Sequence, residues 1–152
     1  MVDSRAKGAR GEYLVRDMLR VATGLQFERV PNSGALEYLK GDLYVPNEKN
    51  RFCIEVKNYS ESPLNDKIFT AKKTNNLIRW WKKVQVQAEN GDQEPLLFFK
   101  YNRSPVFVVT NLQPKQTEEW MFIQFLNCFI LLGETRLETE TVEFLKNGIQ
   151  FQ

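Results

Sequence analysis

Asp42-Leu43-Tyr44-Val45, Pro46-Asn47-Glu48-Lys49-Asn50 and Arg51-Phe52-Cys53-Ile54-Glu55-Val56-Lys57 follow one another without a gap, and this stretch decides how the chain is read. The first piece is a short strand, the second a turn punctuated by Pro and Asn. The third is apolar on both faces, which predicts a strand in the middle of its sheet. Side chains two apart on a strand share a face, so Glu55 and Lys57 project together. A hairpin around residues 46–50 brings Asp42 toward Glu55 near one end of the sheet.

A Glu-x-Lys pair taken alone is common as a solvated cross-strand pair. Here Ile54 and Val56 alternate with the two charges, and charges on the inner part of a sheet are costly unless something pairs them. Two carboxylates on one edge make a hard-oxygen site for Mg²⁺, with Mn²⁺ as a substitute. Mg²⁺ keeps several waters and takes one or two protein carboxylates. Asp42 and Glu55 are the expected ligands, and the Val56 carbonyl between the charged side chains is a natural addition. Lys57 would then orient a metal-activated water and stabilise negative charge growing on a phosphate.

Upstream, apolar positions from Ala9 to Ala22 recur at helical spacing and predict a helix over residues 5–22. Asp3 or Ser4 can cap its start, and Thr23-Gly24 its end. Residues 25–30 alternate as a strand, and a loop rich in Pro, Asn, Ser and Gly fills 31–41. Downstream, 58–67 reads as a polar, mobile loop, and a second helix is expected over 72–88. Strands follow at 95–100 and 105–109, joined by a turn at 101–104. A third helix is expected over 117–126, with 129–132 continuing it or forming an edge strand. The order is αβββαββα, an α/β fold with a mixed central sheet flanked by helices. One domain spans 1–152, with 110–152 as a C-terminal extension.

Composition narrows the chemistry. The chain has no histidine, which excludes Ser-His-Asp and Cys-His catalysis and His-ligated metals. Cys53 and Cys128 lie far apart in apolar runs and read as buried free thiols, not as zinc ligands. The net charge of +2 conceals an asymmetry: residues 1–103 hold 18 Lys/Arg against 13 Asp/Glu, residues 104–152 hold 3 against 6. The basic part suits a polyanionic partner. Met1-Val2-Asp3-Ser4-Arg5 does not open a signal peptide, and no apolar run is long enough for a membrane span, so a cytoplasmic protein is expected.

Asp42 followed by Glu55-Val56-Lys57 resembles the motif of the PD-(D/E)XK nucleases, with Gly41 in place of the usual proline. Lys7-Gly8-Ala9-Arg10-Gly11-Glu12, opening the first helix, resembles that of the archaeal-type Holliday junction resolvases. Arg29-Val30-Pro31-Asn32-Ser33-Gly34 is similar to the loop after their first strand. The similarity runs over about residues 5–60 and more loosely to 100. It implies a restriction-endonuclease-like fold, with Glu12 as a third active-site acid bound through water or to a second metal, and Ser33 assisting cleavage. It also implies a Mg²⁺-dependent homodimer that places paired nicks in four-way DNA junctions.

Arg10, Arg29, Lys40, Lys67, Lys72 and Lys73 flank this set in sequence and are candidates for phosphate contacts, which position DNA without reading its bases. Lys82-Lys83 falls on the outer face of the second helix. Trp81 belongs to the core by its spacing with Leu77 and Val84, while Trp80, Phe69 or Tyr59 are candidates for a dimer interface. Two rivals stand beside the resolvase reading. One is a restriction, repair or replication-linked nuclease acting on duplex or flap DNA; the other is a non-catalytic nucleic-acid-binding subunit.

Overall fold

A computed structural model of the chain describes residues 3–31, 40–113 and 119–132, and the backbone of 149–151. Helix α1 (Ser4–Thr23) leads to strands β1 (Glu28–Arg29), β2 (Leu43–Tyr44), β3 (Glu48–Asn50) and β4 (Phe52–Asn58). Helices α2 (Lys67–Thr70) and α3 (Asn76–Asn90) come next, then β5 (Glu94–Lys100), β6 (Phe107–Thr110) and β7 (Trp120–Ile123). A 3-10 turn (Gln124–Leu126), β8 (Cys128–Leu132) and β9 (Ile149–Phe151) complete the described elements.

Seven strands form one sheet in the order β1-β2-β4-β5-β6-β8-β7. Among the described strands only β4 and β5 run parallel, and α3 lies in the crossover between them, as a parallel pair requires. Strand alternation sorts the core into two layers. Ile54, Val56, Leu96, Phe98 and Val108 share a cluster with Val15 and Leu19 of α1. Cys53, Leu97, Phe99, Val109 and Ile130 share the other with Leu77, Trp81 and Val84 of α3. The α/β class and the mixed sheet between helices are those the sequence leads one to expect.

The element order αβββαββα needs correction. Residues 120–123 form β7, not the third helix expected over 117–126; of that span, 117 and 118 lie outside the described residues. Trp, Phe and Ile suit a pleated surface, and the 3-10 turn with Asn127 in the left-handed region (φ 48°) folds β7 back onto β8. Asn is among the few residues that visit that region readily. Residues 129–132 are therefore strand, and β8 sits inside the sheet between β6 and β7. The second helix starts at Asn76, because the buried Asn75 caps it by accepting from the Ile78 N–H at 3.1 Å. Helix α2 begins at the last residue of the loop expected over 58–67 and fills the stretch before 72, and the same Asn75 side chain donates to the Pro63 carbonyl. Within the expected turn at 46–50, β3 pairs antiparallel with β9.

Helix α1 begins where expected, with the Asp3 carboxylate accepting from the Arg5 and Ala6 N–H groups, and Gly24 closes it. Its first turns are held against the end of β4, where the Asn58 side chain donates to the Lys7 carbonyl at 3.0 Å. The approach is so close that a Cβ on Gly11 would lie 2.8 Å from the Cβ of Asn58, whereas one on Gly8 would meet nothing within 4 Å. Gly11→Ala is expected to destabilise the protein by about 1–3 kcal/mol through overpacking. Gly8→Ala should stabilise it by about 0.5–1 kcal/mol through helix propensity. Urea unfolding of the two variants checks this, and equal effects would contradict it.

Candidate active site

The Asp42 backbone N–H donates to the Ile54 carbonyl at 2.7 Å. Its carboxylate Oδ2 accepts from the Val56 N–H at 2.8 Å. Asp42 is thus clamped to the two residues that flank Glu55. Gly41 makes the clamp possible: its φ is +84°, and a Cβ there would stand 2.6 Å from the Ile54 carbonyl oxygen. Proline, locked near φ −65°, cannot take that conformation. The departure from the usual motif therefore has a local geometric cause.

Glu55 occupies a position on β4 between Cys53 and Lys57, on the face that α3 covers. Its side chain is only 5% exposed. Oε1 lies 3.6 Å from the Lys57 Nζ and 3.9 Å from the Lys83 Nζ. The other oxygen, Oε2, is buried with no hydrogen-bond partner. Burial, and then the charge of Asp42, pushes the Glu55 carboxyl up to about 7, against the pull of Lys57 and Lys83. Burial also raises Asp42, opposed by the Val56 N–H and the two ammonium groups.

Glu12, from α1, completes the acidic wall. Burial and then the Asp42 charge raise its carboxyl, while Arg29 and Lys57 lower it. Arg29 reaches its Oε2 at 3.5 Å and donates to the Tyr13 hydroxyl at 3.1 Å. Glu12, Asp42, Glu55, Val56 and Lys57 line one cleft of about 340 Å³, with Lys7 and Tyr59 at its walls. Among the described residues no three acidic, Cys or His side chains gather closely enough to hold an ion by themselves. The donor set that fits a divalent cation is smaller: two carboxylates that repel each other, one with a buried orphan oxygen, and a backbone carbonyl. In an extended strand the N–H and C=O of one residue leave the same side, so the Val56 carbonyl lies on the side of Asp42. A hard cation that keeps its waters needs little more.

Residues 3–147 match the family model described as "Phage putative PDDEXK endonuclease". The chain belongs to that family. It is thus a nuclease of the PD-(D/E)XK type. Protein D14 of Escherichia phage T5 is 43% identical over 108 residues, covering 67% of each chain. Among solved structures, the chain is similar to Hjc, a Holliday junction resolvase of the archaeal hyperthermophile Archaeoglobus fulgidus. That match has 18% identity and a TM-score of 0.46, covering 91% of this chain and 99% of that one; a likeness so distant decides nothing about substrate.

Of the residues singled out from sequence, Glu12, Asp42, Glu55, Val56 and Lys57 come together. Ser33 lies outside the described residues. Arg29 touches the site through Glu12, whereas Arg10, Lys40, Lys67, Lys72 and Lys73 do not line the cleft. Lys40 rests beside Gly91, and Lys72 lies 4.3 Å over the Phe125 ring. Trp80 is buried and packs its ring, tilted by 39°, against Tyr59 at 4.8 Å between ring centres, so it offers no interface. Both cysteines are free and buried, as expected. Lys83 is the residue that helical spacing misplaced. It stands three after Trp80, at the margin of the packed face, and its stem reaches back to Glu55.

A carboxyl held up to about 7 in the folded chain binds its proton more tightly there than when unfolded. Its contribution to stability is full below about pH 4.5 and is lost as pH rises through about 7. Chemical denaturation in chelator between pH 5 and 8 should therefore show stability falling with pH more steeply in the wild type than in Glu55→Gln. Parallel curves for the two proteins would contradict the assignment.

Proposed function

We propose that this nuclease is a divalent-metal-dependent DNA endonuclease selective for branched DNA, above all four-way junctions, and that it nicks opposing strands as a homodimer. The observation that carries the metal-dependent part is the clamp of Asp42 across Glu55, whose second oxygen is buried without a partner. Asp42, Glu55 and the Val56 carbonyl are the proposed ligands of Mg²⁺, with Mn²⁺ able to replace it. Glu12 acts through water, since Arg29 already engages its carboxylate. When bound, such an ion lowers the pKa of a water and neutralises the phosphate oxygens.

The chain's own groups do the rest. Lys57, fixed on a central strand, points into the cleft beside Glu55 and can hold the attacking water and donate to the charge that grows on the phosphate. Because Asp42 is bonded to the backbone on both sides of Glu55, the two carboxylates keep their spacing without help from the substrate, which is preorganisation of the kind catalysis needs. Selectivity for junctions rests on the resemblance of residues 5–60 to the archaeal-type resolvases. The homodimer rests on the same resemblance and on the exposed apolar side chains of Phe69, Met121, Phe122 and Phe125.

The deciding assay compares a labelled four-way junction with a matched linear duplex, with and without Mg²⁺. Mg²⁺-dependent nicking that favours the junction is expected. Asp42→Asn should lower the rate by more than about 100-fold while junction binding persists. Equal cutting of both substrates would point instead to a duplex nuclease. Unimpaired cleavage by Asp42→Asn would remove the carboxylate pair from the mechanism.

A further inference from the structure

Lys83 is placed unlike Lys82, the other lysine of α3. Its side chain is 57% exposed, yet its Nζ comes within 3.9 Å of Glu55, whose side chain is only 5% exposed. The helix beneath it is anchored by Trp80, Trp81 and Val84, all buried, so the stem starts from a fixed point. Trp80, one turn earlier, packs against Tyr59, and Tyr59 lines the cleft. The margin of α3 that carries Trp80 and Lys83 therefore borders the site, touching two of its lining residues, Tyr59 and Glu55. Lys82 next to it is exposed, and its direction on the helix differs by about 100°.

Two ammonium groups, Lys57 and Lys83, converge on one oxygen of Glu55. They are not equivalent. Lys57 is mostly buried (19% exposed) and lines the cleft, while Lys83 has a solvated side and a flexible four-carbon stem. A salt bridge at 3.9 Å by a half-exposed lysine is weak and easily exchanged. A phosphodiester entering the cleft offers that ammonium a better-placed anion, and more so once a cation claims the Glu55 carboxylate.

We propose that Lys83 is a phosphate-contact residue of the nuclease site, which leaves Glu55 for the DNA backbone when substrate is bound. This rests on the cleft being where DNA is cut, but its test can fail separately. Binding of a fluorescent four-way junction is measured by anisotropy between 50 and 200 mM salt, in the Glu55→Gln background, where Lys83 has lost its carboxylate partner. Adding Lys83→Met should lower the salt slope by about one contact, roughly 0.9 in log–log units, so that affinity at low salt falls at least about threefold. Lys83→Arg should keep the slope, and Lys82→Met should leave both quantities unchanged.

An unchanged slope and affinity on adding Lys83→Met would overturn the proposal and leave Lys83 as a counter-ion for Glu55 alone. A similar loss with Lys82→Met would also overturn it, by showing a diffuse surface effect. Thermal unfolding of each variant separates a lost contact from a lost fold; Lys83→Arg, which restores the charge, must restore the slope for the proposal to stand. Failure of the nuclease reading is seen elsewhere, as undiminished cleavage by Glu55→Gln itself.

Discussion

A buried carboxylate, Glu55, and a half-buried one beside it, Asp42, repel each other and lose hydration, and the fold must hold them there without neutralising either completely. The bond from the Val56 N–H to the Asp42 carboxylate meets that constraint. It fixes Asp42 by backbone groups, which cannot swing away, and leaves Glu55 to the weaker, longer contacts with two ammonium groups. The raised proton affinities of Glu12, Asp42 and Glu55 are the signature of that arrangement, with burial the largest cause for each. An ionised pair in such surroundings is relieved by a cation.

The rest of the molecule brings elements to this point. Strand β4 lies inside the sheet with residues Phe52–Val56 buried, which fixes the direction its side chains take. From one side α1 delivers Glu12, and the missing side chain of Gly11 sets how near it comes to Asn58. From the other side α3, rooted by Trp81 and Val84, delivers Lys83. Charges of opposite sign thus arrive from different layers and meet at the end of one strand. Such convergence is what allows a sheet interior to tolerate them.

Much of this could be read before the structure. The alternation of Ile54 and Val56 with Glu55 and Lys57 fixed which side chains share a face, and the short turn fixed Asp42 as their neighbour. What sequence could not carry was the positive φ at Gly41, since glycine is compatible with every conformation. Lys83 was assigned to the outer face of its helix because helical spacing gives a face to the Cα but not the reach of a long side chain. An acid within an apolar strand, needing more than one cation, was the available hint. Residues 120–126 misled because aromatic and aliphatic runs fit helix and strand alike, and Asn127 was the punctuation that mattered.

The claim on which all of this stands is that Asp42 and Glu55 act as one cation-binding pair. Crystals soaked in Mn²⁺ and measured at its absorption edge test that directly. The account predicts an anomalous peak within about 2.0–2.3 Å of a carboxylate oxygen from each residue. A peak bound by only one of them, or none in the cleft while Mn²⁺ binds elsewhere, would contradict it.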